Sequence, residues 1–124
     1  MIDHIGLSVA NLARSKAFYR SALAPLGYRL LIDEGGWVAF GRPDAPGLWL
    51  RENGATSPRV HVAFRATSPE VVNEFHDAAV SAGGTDNGPP GLRPHYHPSY
   101  YGAFVFDPDG HNIEAMCRVT ESAS

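Results

Sequence analysis

The strongest constraint on this 124-residue chain is an internal repeat, because the sequence matches itself when it is shifted so that one histidine falls on another. Four residue types then coincide in the same order: a strand histidine, a helix aromatic, a helix alanine and a helix-ending glycine. The matched pairs are His4 with His61, Phe18 with Phe75, Ala22 with Ala79, and Gly27 with Gly84. Self-similarity over a fixed distance indicates one supersecondary unit used twice.

Each half of the chain shows the pattern of a strand, a helix and further strands. Apolar alternation predicts opening strands at 2–9 and 59–66. Asn11 and the segment 67–70 carry helix-start chemistry, which predicts one helix over 12–24 and a second that starts within 67–70 and runs to about residue 82. Further strands are predicted at 28–33, 36–41, 47–52, 101–106 and 111–118, with a long loop over 86–100. The predicted fold is α+β: one domain, 1–124, of two βαβββ modules, 1–53 and 58–120, joined by a linker.

Charge and composition exclude several classes of function. The net charge is −3, Lys16 is the sole lysine, and no stretch clusters basic residues, so we expect neither nucleic acid nor an anionic membrane as a partner. No apolar run approaches the roughly 20 residues that span a bilayer. Cys117 is the sole cysteine, which excludes an intrachain disulfide and suits a reducing compartment. We therefore expect a soluble, cytoplasmic protein.

Strand alternation places three candidate metal ligands, His4, His61 and Glu114, on the faces away from the predicted helices. A lone strand histidine is usually a hydrogen-bonded core or surface residue. The repeat makes His4 and His61 equivalent, so they become neighbours if the halves pack about a pseudo-twofold axis. Glu114 lies beside Met116 and needs a partner, since burial of an unpaired charge is costly. Two histidines and one carboxylate form the facial triad that holds a divalent metal.

A segment rich in histidine and tyrosine, 92–101, precedes the last hairpin. One interpretation is that it lines or closes the site, with Tyr96, His97 and Tyr101 available for proton transfer and Tyr100 for substrate contact. The alternative is a surface loop held by prolines. His95 and His97 are also spaced so that they could bind a metal.

Several other side chains have either a functional or a structural interpretation. Arg65 shares a strand face with His61, where it would hold an anionic substrate or form a structural ion pair. Trp49 and Trp37 would line a substrate site or simply pack together. Cys117 points toward the helices and is predicted to be a small buried hydrophobe. His111 follows a turn and is predicted to be a surface residue.

Three segments resemble the vicinal oxygen chelate superfamily, which comprises glyoxalases, bleomycin-resistance proteins and extradiol dioxygenases. They are the opening strand 3–9, the helix segment 15–19 with its end at 26–28, and the closing hairpin 106–114. The resemblance covers nearly the whole chain. It implies two βαβββ modules forming a cup-shaped sheet around a divalent metal, with His4, His61 and Glu114 as ligands.

The chain departs from the glyoxalase pattern at one position. A fourth ligand is expected on the last strand of the first module, where the matching residue is Trp49, which is not a usual ligand. Glu52 lies nearby but shares the strand face of Leu50. This departure argues against a strict lactoylglutathione lyase. It leaves the three-ligand pattern of extradiol dioxygenases and fosfomycin-resistance thiol transferases.

The resemblance implies a metal-dependent lyase, isomerase or dioxygenase that acts on a small substrate with vicinal oxygens. The cofactor would be one divalent ion: Fe, Mn, Ni or Zn. The alternative is a ligand-sequestering protein of the bleomycin-resistance kind, without catalysis. Small two-module members resemble one another in being homodimers, and the site would lie within one chain or between two.

Overall fold

The computed structural model describes residues 2–43, 45–53, 56 and 58–119, which form two four-stranded sheets and two helices. The first module contains β1 (Ile5–Val9), α1 (Leu12–Leu23), a 3-10 turn (Ala24–Leu26), β2 (Arg29–Asp33), β3 (Trp37–Arg42) and β4 (Ala45–Glu52). The second contains β5 (His61–Arg65), α2 (Pro69–Ser81), β6 (Thr85–Leu92), β7 (Tyr100–Phe106) and β8 (Asn112–Arg118). Between the two predicted modules, only residue 56 of 54–57 is described, and residue 120, the predicted end of the second module, also lies outside the described residues.

The two sheets have the same topology. Their strand orders are β1-β4-β3-β2 and β5-β8-β7-β6. In each sheet the opening strand pairs in parallel with the closing strand, and the other neighbours are antiparallel. The predicted α+β fold of two βαβββ modules is therefore confirmed.

Both helices begin where the sequence predicts. The Asn11 side chain accepts a hydrogen bond from the backbone N–H of Arg14, and Ser68 accepts one from that of Val71. Each contact satisfies one backbone N–H that a helix start leaves free. None of the helices in the described part of the chain is long and apolar enough to cross a bilayer.

The helix-facing sides of both sheets contribute to one apolar core. Leu7 and Val9 of β1 enter it from the first sheet, and Val62 and Phe64 of β5 from the second. Helix α1 packs directly on α2 in this core. Cys117 is buried in the same core, as predicted. Because the core occupies the helix sides, polar chemistry is left to the opposite faces of the sheets.

The turn between β7 and β8 joins the two modules through Asp107. Its Oδ1 accepts hydrogen bonds of 2.9 Å from the backbone N–H groups of Asp109 and His111, which fixes the turn. Its Oδ2 accepts the hydroxyl of Tyr19 from α1. Tyr19 is fully buried, and burial together with the Asp107 charge raises the pKa of its hydroxyl well above the ordinary value.

Asp109, in the same β7–β8 turn, forms hydrogen bonds with the start of α1. Its Oδ1 accepts the backbone N–H of Ala10 at 3.1 Å, and its Oδ2 accepts the hydroxyl of Ser15 at 3.3 Å. Arg14 adds a contact of 3.4 Å. A carboxylate at a helix N-terminus is favoured by the free N–H groups and by the helix dipole.

The prediction that His111 is a surface residue is wrong, because it is buried between the modules. Its Nδ1 accepts the backbone N–H of Val60 at 3.2 Å, which leaves the proton on Nε2. Nε2 then donates to the carbonyl of Ser8 at 3.1 Å. His111 is thus a neutral link between the second sheet and β1.

The predicted loop over 86–100 is wrong in its first part, where the structure has strand β6. Pro89 and Pro90 disfavour a strand interior because they lack an N–H group. They are tolerated here because β6 lies at the edge of its sheet, and its pairing with β7 shifts register on both sides of Gly88.

We predict that Tyr19→Phe lowers the free energy of unfolding by about 1.5–3 kcal/mol, because a buried carboxyl group loses a hydrogen bond. Tyr101→Phe is the matched control, since its hydroxyl meets the exposed Asn73 and its loss should cost no more than about 0.5 kcal/mol. Urea unfolding measures both. Equal values for the two variants would contradict the role of the Tyr19 contact.

We also predict that Gly84→Ala destabilises the protein by about 1–3 kcal/mol through overpacking. A Cβ at this position would lie 2.5 Å from Val105 Cγ1 and 2.7 Å from Phe18 Cε1. Gly36→Ala serves as the control, because its Cβ would meet no atom within 4 Å. Thermal melts of both variants give the comparison, and an unchanged Gly84→Ala melt would show that α1 and β7 do not pack this closely.

Candidate functional site

The face of the second sheet opposite the helices holds a buried carboxylate, that of Glu114 on β8. Its side chain is 2% exposed, and its Oε1 lies 2.7 Å from Nε2 of His61 on the parallel strand β5. Its Oε2 accepts the hydroxyl of Tyr100 on β7. Within the described residues the carboxylate has no lysine or arginine partner.

These two groups fit a divalent metal. His61 is 50% exposed, so an ion can reach the pair from solvent. Adjacent ligand atoms around an ion at roughly 2.0–2.2 Å lie about 3 Å apart, close to the observed separation of Nε2 and Oε1. A cation would also supply the charge partner that a buried carboxylate requires.

The Tyr100 hydroxyl is held in its protonated form. Burial raises its pKa above the ordinary value, and the hydrogen bond to Glu114 and the charge of that carboxylate raise it further. The group is therefore a hydrogen-bond donor at neutral pH and not a base. The sequence predicted a substrate contact for Tyr100, and the structure adds a hydrogen bond to Glu114.

The first sheet carries the third predicted ligand, His4, just before β1. Its Nδ1 lies 2.8 Å from a carboxylate oxygen of Asp3, an arrangement that leaves Nε2 open to a metal. His4 does not meet the other two ligands: within the described part of one chain, no three side chains of the metal-binding types form a cluster. Sequence reasoning missed Asp3, although it immediately precedes the histidine.

His4 belongs instead to a row of stacked rings on the first sheet. Its ring lies 4.7 Å from that of Trp49, which in turn lies 4.9 Å from Trp37 at an interplanar angle of 8°. The row lines a cavity of about 340 Å³ together with Ser8 and Arg51. The indole N–H of Trp49 is buried without a hydrogen-bond partner in the described structure. This cavity can hold a flat, partly apolar molecule.

Glu52 has a structural role at the end of β4. Its carboxylate accepts the backbone N–H of Leu12, at 2.7 Å, in the first turn of α1. It faces the helix layer with Leu50, as strand alternation predicts, and lies away from the ring row.

Arg65 lies exposed at the end of β5 and forms no ion pair with another described residue. It borders a second cavity, of about 440 Å³, together with Asp3, Tyr28 and Arg42. The guanidinium is therefore free to meet an anionic group at the junction of the modules.

The histidine- and tyrosine-rich segment divides between two locations. The exposed ring of Tyr96 packs against that of Tyr100 at 5.1 Å, and His97 Nδ1 accepts the Ser99 N–H at 3.1 Å. Tyr101 lies on the opposite face of β7, where its hydroxyl donates to Asn73 of α2. Successive residues of a strand point to opposite faces, so Tyr101 faces away from Tyr100. The structure therefore does not bring Tyr101, a predicted catalytic residue, to the site.

Comparisons with known proteins agree with this architecture. The sequence profile of the Glyoxalase/Bleomycin resistance protein/Dioxygenase superfamily matches residues 1–115. A glyoxalase/bleomycin resistance protein from Albidiferax ferrireducens is 31% identical, with a TM-score of 0.85 over 95% of this chain and 99% of the other. No functionally curated protein matches the sequence.

More distant structures share the fold. A family enzyme from Burkholderia phytofirmans is 15% identical, with a TM-score of 0.73 over 94% of this chain and 97% of the other. A glyoxalase-related enzyme from Fulvimarina pelagi is 21% identical, with a TM-score of 0.71 over 95% and 88%. With the profile match and the relative from Albidiferax, the conclusion is that this chain belongs to the glyoxalase/bleomycin resistance protein/dioxygenase superfamily.

Proposed function

We propose that the protein is a divalent-metal-dependent enzyme that acts on a small substrate with two neighbouring oxygens. The observation that carries the proposal is the Glu114 carboxylate, which is buried, lies 2.7 Å from His61 Nε2 and has no lysine or arginine partner within the described residues. A bound ion would complete this site. Its ligands would be His61, Glu114 and His4.

The third ligand would come from a second copy of the chain. Within one chain the described residues bring no three such groups together, and the packing of both helices into one core fixes the modules in place. His4 lies outside that core, and no hydrogen bond joins its Nε2 to another described residue. A homodimer in which the first module of each copy faces the second module of the other would supply His4 of the partner subunit to each site.

The donor set would select the metal. Imidazole and carboxylate ligands without a thiolate suit Fe, Mn, Ni or Zn. When bound, the ion would act as a Lewis acid on the two substrate oxygens. By the resemblance, Trp49 would stand where glyoxalase-like proteins have a fourth ligand, which would leave more positions on the ion open to substrate and water.

The chain's own side chains would bind and orient the substrate. The stacked rings of Trp49 and Trp37 would hold its planar part, and Arg65 would meet an anionic end. Tyr96 and His97, at the rim beside Tyr100, would be available for proton transfer. Dioxygen consumption distinguishes a dioxygenase from a lyase or isomerase, which would consume none.

A ligand-sequestering protein is the second candidate, and the stacked-ring cavity is the observation that favours it. Sequestration would need the rings but no ion. Quenching of tryptophan fluorescence by an added planar ligand distinguishes the two candidates. Equal quenching with and without a divalent metal supports sequestration, and quenching that occurs only with the metal supports the enzyme.

We predict that the purified, untagged protein binds about one divalent ion per chain and that His61→Ala and Glu114→Ala each abolish this binding. The matched control is His76→Ala, because His76 forms an equivalent contact of 2.8 Å with Asp86 on the outside of the second module. Elemental analysis after loading with Fe(II), Mn(II), Ni(II) or Zn(II) gives the stoichiometry. Wild-type protein that takes up none of these ions would overturn the enzyme proposal.

A further inference from the structure

We infer that Tyr100 is a positioning residue that holds the Glu114 carboxylate in the orientation needed to bind the metal, without touching the metal itself. The inference rests on the proposed function and adds a residue to it. The resemblance implies three ligands and says nothing of what orients them. A buried carboxylate with two oxygens can rotate, so its orientation needs a second contact.

The structure supplies that contact through one oxygen only. The Tyr100 hydroxyl donates to Oε2 of Glu114, while Oε1 faces His61. This division leaves Oε1 as the ligand atom and commits Oε2 to the phenol. Outer partners of this kind fix the geometry of metal ligands and contribute to affinity although they do not touch the ion.

A glycine makes the contact between Tyr100 and Glu114 feasible. Gly102 lies between them on the same face, since Tyr100 pairs with Arg118, Gly102 with Met116, and Phe104 with Glu114 across the hairpin. A Cβ on Gly102 would lie 3.2 Å from Cε1 of Tyr100 and 3.3 Å from Oε2 of Glu114. A side chain at this position would therefore crowd both the phenol and the carboxylate, which would have to move by a few tenths of an ångström.

The Tyr100 ring is itself held on its outer side. The Tyr96 ring packs against it edge to face at 5.1 Å, and the Arg118 guanidinium lies 5.8 Å from its centroid. These contacts involve the ring and not the hydroxyl. Removal of the hydroxyl alone should thus leave the ring in place and change only the orientation of Glu114.

The test is the metal affinity of Tyr100→Phe, measured by chelator competition on the full-length protein. We expect a loss of about 10- to 100-fold, the usual effect of removing an outer partner of a ligand. Tyr101→Phe is the matched control: it makes the same chemical change one residue away, on the opposite face of β7, and should keep wild-type affinity.

The visible spectrum of the Co(II)-loaded protein provides a readout that a merely structural role would not move. Tyr100→Phe should change the bands, because the coordination by Glu114 changes, while the thermal melt shows that the fold is kept. Gly102→Ala is a second variant should Tyr100→Phe fail to fold, and it should weaken binding because its Cβ would crowd the contact between the phenol and Oε2 of Glu114.

The outcomes separate the two proposals. If wild type binds metal, and Tyr100→Phe binds it with the same affinity and the same Co(II) spectrum, the positioning role is overturned and the proposed metal site is kept. Absence of metal binding by wild type would overturn the proposed function and this inference together. Weakened binding in Tyr100→Phe, with Tyr101→Phe unaffected, would establish the role.

Discussion

The contact between the β7–β8 turn and helix α1 is the constraint on which the rest of the structure depends. Asp107 and Asp109 are both buried there, and one meets the phenol of Tyr19 while the other meets the first turn of α1. Buried carboxyl groups are stable only where donors are in place, so these bonds fix the second module relative to the first. The shared core then forms on the helix sides of both sheets.

This arrangement determines where chemistry can occur. With the helix sides occupied, His61 and Glu114 face outward from the second sheet and the stacked rings of His4, Trp49 and Trp37 face outward from the first. Each face carries part of the proposed site: the pair of His61 and Glu114 on one, and an aromatic cavity with one imidazole on the other. A second copy of the chain, turned to place one face against the other, would complete both sites at once.

Much of the fold follows from local signals, but contacts distant in sequence do not. The repeat, the helix caps and the strand alternation predict the two modules and the faces of His61 and Glu114. The burial of His111 could not be predicted, because its partners at Ser8 and Val60 come from other strands. Strand β6 was missed because its two prolines indicate a loop unless its edge position is known. The link from Tyr100 to Glu114 could have been found from the hairpin register, which the 107–110 turn sets.

The most direct test of the proposed metal site between two chains uses mixed dimers of His4→Ala and Glu114→Ala chains, purified through two different tags and analysed for metal. Neither variant alone should bind an ion. If each site combines the two chains, one site of the mixed dimer carries both substitutions and the other carries none, so about half of the wild-type metal content should return. A mixed dimer that stays free of metal, with wild type loaded, would contradict a site shared between copies.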